Sequence, residues 1–198
     1  MPRRFTENRL IIATHNKGKL AEFRALLGPH VKVVQSAGDL GLPEPAETGA
    51  TFEENAVLKA RAAAQASGFP ALADDSGLCV NALGGKPSLH TARWCGPERD
   101  PMVGMTRVND ELADSADRSA YFICVLALAW PDGHVEVVEG RCLGEIVWPP
   151  RGDGGHGFDP CFKPEGETRT FGEMSAAEKH PLSHRGKAME KMITLFEE

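Results

Sequence analysis

Short, solidly apolar runs alternate along this chain with longer segments in which apolar residues return every three or four positions. Leu10-Ile11-Ile12-Ala13 is the first solid run and predicts a buried strand. Over 18–27, Leu20, Phe23, Leu26 and Leu27 fall at helical spacing, and Gly28-Pro29 stops that helix. A short second strand is expected over 31–34, then a loop over 38–49 that holds Pro43 and Pro45. Thr51-Phe52-Glu53-Glu54 has capping-box spacing and opens a long alanine-rich helix through Ala66, closed by Ser67-Gly68. Ala71-Leu72-Ala73 is a short buried strand running into Asp74-Asp75-Ser76-Gly77, which reads as the strand's end and a turn. Strand or bulge follows over 78–83, with a turn at Gly84-Gly85, and a helix over 97–112. The apolar run 121–130, the turn Pro131-Asp132-Gly133 and the return over 135–147 predict an antiparallel hairpin. A Gly- and Pro-rich loop covers 149–157. Ser175 to Glu178 repeats the capping-box spacing, and Ser183 caps a last helix whose inner face carries Ala188, Met192 and Leu195. Helix and strand alternate early and a long hairpin comes late, which is the signature of an α/β fold with a mixed sheet. No linker divides 1–198, so one domain is expected.

Composition narrows the function without choosing it. A net charge of -6 disfavours a general nucleic-acid binder, which carries a basic surface. The longest apolar run, 122–130, is too short to span a bilayer, and no apolar segment follows Arg3-Arg4 as a signal peptide would require, so no membrane partner is expected. The five cysteines are odd in number and form no C-x-x-C pair. That argues against a disulfide framework or structural zinc and fits the reducing cytoplasm.

The candidate chemistry is dispersed. Thr14-His15-Asn16-Lys17-Gly18-Lys19 joins the first strand to the first helix. A helix start offers N–H groups and the positive end of the helix dipole, and Lys17 and Lys19 add cations, so a phosphate chain is one natural occupant. The other reading is an ordinary strand-to-helix turn with no ligand. Asp74-Asp75 either holds a hard cation such as Mg²⁺ or is a solvated turn. Adjacent strand residues face opposite ways, so only one of the two aspartates can serve a given cleft. Lys59 alone reads as a helix-surface lysine. In the glycine-rich stretch, His156 or Phe158 could stack on a base and Asp159 could accept its hydrogen bonds, or Phe158 is simply anchored in the core. Lys179 and Ser183-His184-Arg185 form a second cationic helix entry or an N-capped surface helix; an arginine here could grip phosphate in bidentate fashion. Two cationic helix entries, one carboxylate pair and one glycine-rich loop with rings are together what a nucleoside triphosphate with Mg²⁺ requires.

These segments carry a family resemblance. Ala13-Thr14-His15-Asn16-Lys17-Gly18-Lys19, 47–56 (Glu47-Thr48-Gly49 into Thr51-Phe52-Glu53-Glu54-Asn55-Ala56), Lys59-Ala60, Ala73-Asp74-Asp75-Ser76-Gly77-Leu78, Ala82-Leu83-Gly84-Gly85, Gly157-Phe158-Asp159-Pro160 and Ser183-His184-Arg185-Gly186 stand in order along nearly the whole chain. In them the sequence resembles the inosine triphosphate pyrophosphatase family, in its bacterial dITP/XTP pyrophosphatase branch. The resemblance implies an elongated central mixed β-sheet flanked by helices, two lobes with the nucleotide in the cleft between them, and a cytoplasmic homodimer. It implies Mg²⁺-dependent hydrolysis of ITP, dITP and XTP to the monophosphate and pyrophosphate, cleansing the nucleotide pool. Carried onto this sequence, Asp75 is the general base and a Mg²⁺ ligand, with Glu47 the second metal carboxylate and Lys59 beside the reacting phosphate. Thr14, His15, Asn16, Lys17, Gly18 and Lys19 bind the triphosphate, and Ser76, His156, Gly157, Phe158, Asp159, Lys179, His184 and Arg185 line the substrate site. Two departures stand out: Ala46 occupies the place of the first of two glutamates, the one the family links to metal, with Glu47 after it and Glu44 nearby, and His156 stands where the family often has Phe, with Phe158 in the next ring position. The rival expectations are a pyrophosphatase of the same fold for another modified base and a nucleotide sensor without turnover.

Overall fold

The structure, a computed structural model, describes residues 1–197. Its six strands form one mixed sheet in the order β2-β1-β3-β4-β5-β6, with β1 Arg9–Ile12, β2 Val33–Ser36, β3 Ala71–Val80, β4 Ser119–Ala129, β5 Val135–Ile146 and β6 Phe162–Pro164. The helices are α1 Lys17–Leu27, α2 Phe52–Ser67, α3 Pro101–Leu112, α4 Ala176–Lys179 and α5 His184–Ile193, with short 3₁₀ turns between them. β1 runs parallel to both β2 and β3, and β5 runs antiparallel to β6. The α/β class and the mixed sheet are therefore as expected.

The chain divides into two compact units. The first comprises Met1–Asp75, Val125–Glu139 and Ala188–Glu198. Its solid apolar strand Leu10-Ile11-Ile12 is fully buried, as are Phe23 and Leu27 of α1 and Ala56, Ala60 and Ala64 of α2. Alanine on one face of α2 lets the helix lie close to its neighbours. Thr51 caps α2 by accepting from the Glu54 N–H, and Gly68 ends it in the left-handed conformation that only glycine adopts cheaply (φ 74°).

The second unit comprises Ser76–Cys124 and Gly140–Lys187. Its core gathers Leu78, Trp94, Val108, Phe122, Phe158, Phe162 and Phe171. Phe122, Phe162 and Phe171 pack ring on ring, with centroids 4.4 to 6.3 Å apart. All five cysteines are buried free thiols, and burial pushes the Cys161 thiol up to about 12, which keeps it inert.

Three elements differ from expectation. β3 does not stop at Ala73 but runs through Asp74-Asp75-Ser76-Gly77 to Val80; β1 pairs with it at Ala71 and Leu72 and β4 lies along its other side, which overrides a turn-like composition. β2 begins at Val33 rather than 31, because Arg9 to Ile12 set its register against Val33 to Ser36. The α3 helix starts at Pro101 under an Asp100 cap rather than at Pro97, after a 3₁₀ turn at Arg93–Cys95.

Candidate active site

In the first unit, the turn between β1 and α1 is built by its own side chains. The Asn16 N–H donates to Thr14 Oγ1 at 3.1 Å, and Asn16 Oδ1 caps α1 by accepting from the Lys19 N–H at 3.1 Å. The N–H groups of Lys17 and Gly18 have no partner within the helix by its geometry, and His15, Asn16, Lys17 and Gly18 are exposed. This is the arrangement that receives an anion. Lys19 does not project freely: its Nζ donates to Asp74 Oδ2 at 2.8 Å, and that carboxylate is 3% exposed.

Asp74 pairs with Lys19, and Asp75 faces Lys59, Glu47 and Asn55, although the charge of Asp74 also reaches Lys59. Lys59 is no ordinary surface lysine. Its side chain is 11% exposed, and Nζ donates to Glu47 Oε1 at 2.8 Å. Burial opposes its charge, but Asp74, Glu47 and Asp75 together raise its pKa, so it is firmly protonated. The Asp75 carboxyl is pushed up to about 6. Desolvation is the main cause; Lys59 opposes it, Glu47 and Asp74 add to it, and a hydrogen bond from Asn55 again opposes it. A carboxyl that titrates near neutrality, in a half-buried position beside a fixed cation, is suited to taking a proton from water.

The same donors suit a hard divalent ion. Asp75 and Glu47 offer carboxylate oxygens, and the crowding of acids around Asp75 is the strain that a cation relieves. Among the described residues no cluster of three His, Cys, Asp or Glu side chains closes a metal cage.

The second unit holds the remaining expected residues. Ser76 follows Asp75 on β3 and is half-buried. Asp159 is 2% exposed; its Oδ2 accepts from Lys179 Nζ at 2.5 Å and from the His156 N–H at 2.9 Å. Gly155 (φ +67°) allows this, since a Cβ there would stand 2.2 Å from Asp159 Oδ2. Lys179 Nζ also lies 5.3 Å from the centre of the Phe171 ring. Ser183 accepts from the Gly186 N–H at 2.9 Å and so caps α5. His184 is buried and stacks on Phe122, centroids 4.9 Å apart at 18°, and Arg185 is buried too. This is not the surface helix that local composition permitted.

Phe158 requires a correction. Its ring sits in the core of the second unit rather than offering a face to a base, and α3 approaches so closely that a Cβ on Gly104 would meet Phe158 Cζ at 2.7 Å. The exposed ring of the loop is His156. Asn55 stands in the segment 47–56 that carries the family resemblance but receives no role from the sequence. It lies buried in the first turn of α2 and accepts from the Gly49 N–H at 2.8 Å. Beyond that segment, its signal is an amide on the helix face otherwise made of Ala56, Ala60 and Ala63.

Comparison with known proteins follows from this geometry. The profile of the Ham1 family matches residues 10–195. A dITP/XTP pyrophosphatase of Gluconobacter oxydans (strain 621H) is 56% identical over 182 residues, covering 92% of this chain and 88% of that protein. The dITP/XTP pyrophosphatase of Rhodospirillum centenum is 55% identical over 195 residues, 97% of this chain and 96% of the relative. Among solved structures, a HAM1 protein from Coxiella burnetii superposes with a TM-score of 0.89 at 38% identity, covering 96% of this chain and 98% of that one. A nucleoside-triphosphatase described as a dITP/XTP pyrophosphatase, from Mycobacterium abscessus, gives 0.78 at 39% identity, covering 93% and 98%.

Proposed function

Because this chain belongs to the Ham1 family, we propose that it hydrolyses non-standard purine nucleoside triphosphates (dITP, ITP and XTP) to the monophosphate and pyrophosphate, removing them from the nucleotide pool. The observation that carries the reading is the Asp75 carboxyl, half-buried against Lys59, whose 11% exposed side chain is fixed by Glu47 at 2.8 Å. The names of relatives more than half identical to this chain give the substrate class.

Asp75 is the general base: it takes the proton of the attacking water from a half-buried position beside Lys59, Glu47 and Asn55. Lys59 holds the charge of the reacting phosphate from a fixed, low-exposure position, where electrostatic stabilisation is worth most. The turn Thr14, His15, Asn16, Lys17, Gly18 and Lys19 binds the phosphate chain through helix N–H groups and the two lysines. In the second unit, Ser76, His156, Gly157, Asp159, Lys179, His184 and Arg185 contribute to substrate binding, with Phe158 supporting the loop from the core. Asp75 and Glu47 would hold Mg²⁺, whose chemistry is to neutralise phosphate charge and lower the pKa of a bound water. Five free buried thiols favour a reducing cytoplasm as the place of action. The resemblance extends the reading to a homodimer and to a single catalytic domain.

Discrimination rests on the six-position oxo group that hypoxanthine and xanthine share and adenine lacks. A site donating hydrogen bonds there leaves its donors unpaired against adenine, which is costly. A panel of ITP, dITP, XTP, ATP and GTP, with pyrophosphate and orthophosphate measured separately, tests the proposal. Pyrophosphate from the first three is expected; its absence with all of them would overturn the reading.

A further inference from the structure

One polar side chain in the first unit is buried, bonded on two sides and unused by the chemistry above. Asn55 is 3% exposed. Its Oδ1 accepts from the Gly49 N–H at 2.8 Å, which leaves the amide nitrogen as the donor to Asp75. The contact is built to be close: a Cβ on Gly49 would stand 2.6 Å from Asn55 Oδ1 and 3.0 Å from its backbone nitrogen. Gly49 closes the loop that carries Glu47, and Glu47 is the partner of Lys59. One amide therefore spans the loop, the first turn of α2 and the middle of β3.

We infer that Asn55 is a positioning residue for turnover, fixing the carboxyl of Asp75 with its amide nitrogen while its oxygen ties down the loop that bears Glu47. The inference rests on the pyrophosphatase reading of the site and deepens it. Asparagine alone among small side chains presents a donor and an acceptor from one planar group. Aspartate at this position keeps the acceptor for Gly49 but turns the donor into a second acceptor facing Asp75. Alanine loses both bonds.

The two variants separate the two halves of the role. In Asn55→Asp, hydrogen exchange at the Gly49 amide is expected to stay within about threefold of wild type, while kcat for ITP falls about 10²-fold, the scale of a misplaced catalytic group. In Asn55→Ala, Gly49 exchange is expected to accelerate at least about tenfold by the loss of its acceptor, with a similar fall in kcat. A purely structural role would also weaken nucleotide binding. The affinity for ITP is therefore compared in Asp75→Asn and in Asp75→Asn combined with Asn55→Asp, and it is expected to agree within about twofold, since a residue acting through Asp75 has nothing left to act on. Wild-type kcat in Asn55→Asp, or unchanged Gly49 exchange in Asn55→Ala, would overturn the inference. If Asn55→Ala does not fold, the isosteric Asn55→Asp and Asn55→Ser carry the same comparisons. If wild type itself releases no pyrophosphate, the functional reading fails, and Gly49 exchange still decides whether Asn55 holds the loop.

Discussion

Replacing Asp75 by asparagine should abolish turnover and stabilise the fold, and the second effect can be sized from the site. In the unfolded chain the carboxyl titrates at 3.8; in the folded chain it titrates at about 6. A folded pKa above the unfolded one means that the protonated form favours folding. That advantage is complete below pH 3.8 and is lost as pH rises through about 6, so at pH 8 the ionised side chain opposes folding. A shift of about 2 pKa units corresponds to about 3 kcal/mol. Asp75 is only partly buried, so solvent screening reduces this to ~1–3 kcal/mol. Asparagine keeps the shape and an oxygen for Asn55 and carries no charge at any pH. For a chain of this length each kcal/mol moves Tm by about 2–4 °C. Differential scanning calorimetry at pH 8 without divalent cations should therefore place Asp75→Asn roughly 2–12 °C above wild type, a gap that closes toward pH 4. Added Mg²⁺ should raise the Tm of wild type more than that of the variant. An equal or lower Tm at pH 8, or a gap independent of pH, would refute the reasoning about how Asp75 is held.

Other consequences are equally specific. Lys59→Met leaves Glu47, Asp74 and Asp75 without their shared cation, so urea denaturation at pH 8 should show a loss of ~1–3 kcal/mol, shrinking as pH falls through about 6 and Asp75 protonates. Gly104→Ala forces a Cβ against Phe158 Cζ and Cys95 Sγ (2.7 and 2.9 Å), and overpacking of this kind costs about 1–3 kcal/mol by denaturant titration. Arg99 is exposed and holds φ 53°, so Arg99→Gly should gain ~0.5–1 kcal/mol by relieving left-handed strain, read as a rise in Tm with activity unchanged.

Sequence specifies structure most clearly where one local rule decides the outcome. Thr51 and Gly68 bound α2 as their capping chemistry requires, and Pro131-Asp132-Gly133 turns the hairpin because nothing else at that point competes with it. Sequence is least decisive at Asp74-Asp75-Ser76-Gly77. Two adjacent carboxylates followed by Ser-Gly are turn-like in isolation, yet the segment is the middle of a flanked strand. What makes that tolerable is non-local: Lys19 neutralises Asp74, while Lys59 and Asn55 face Asp75. No window of sequence contains those partners. Phe158 shows the same limit from the other side, since only the close approach of Gly104 reveals that its ring is packing rather than presentation. Lys59 was ordinary by its local pattern and exceptional by its surroundings. The family resemblance pointed to it, and the geometry supplies a reason.

The central claim is that the carboxylate of Asp75 activates water for the release of pyrophosphate from a non-standard purine triphosphate. Single-turnover mixing of ITP with excess enzyme, wild type against Asp75→Asn, tests it most directly. The account predicts one pyrophosphate and one inosine monophosphate per ITP in wild type and no product in the variant, although the variant still binds ITP. Orthophosphate as the wild-type product, or pyrophosphate formed at the wild-type rate by Asp75→Asn, would contradict it.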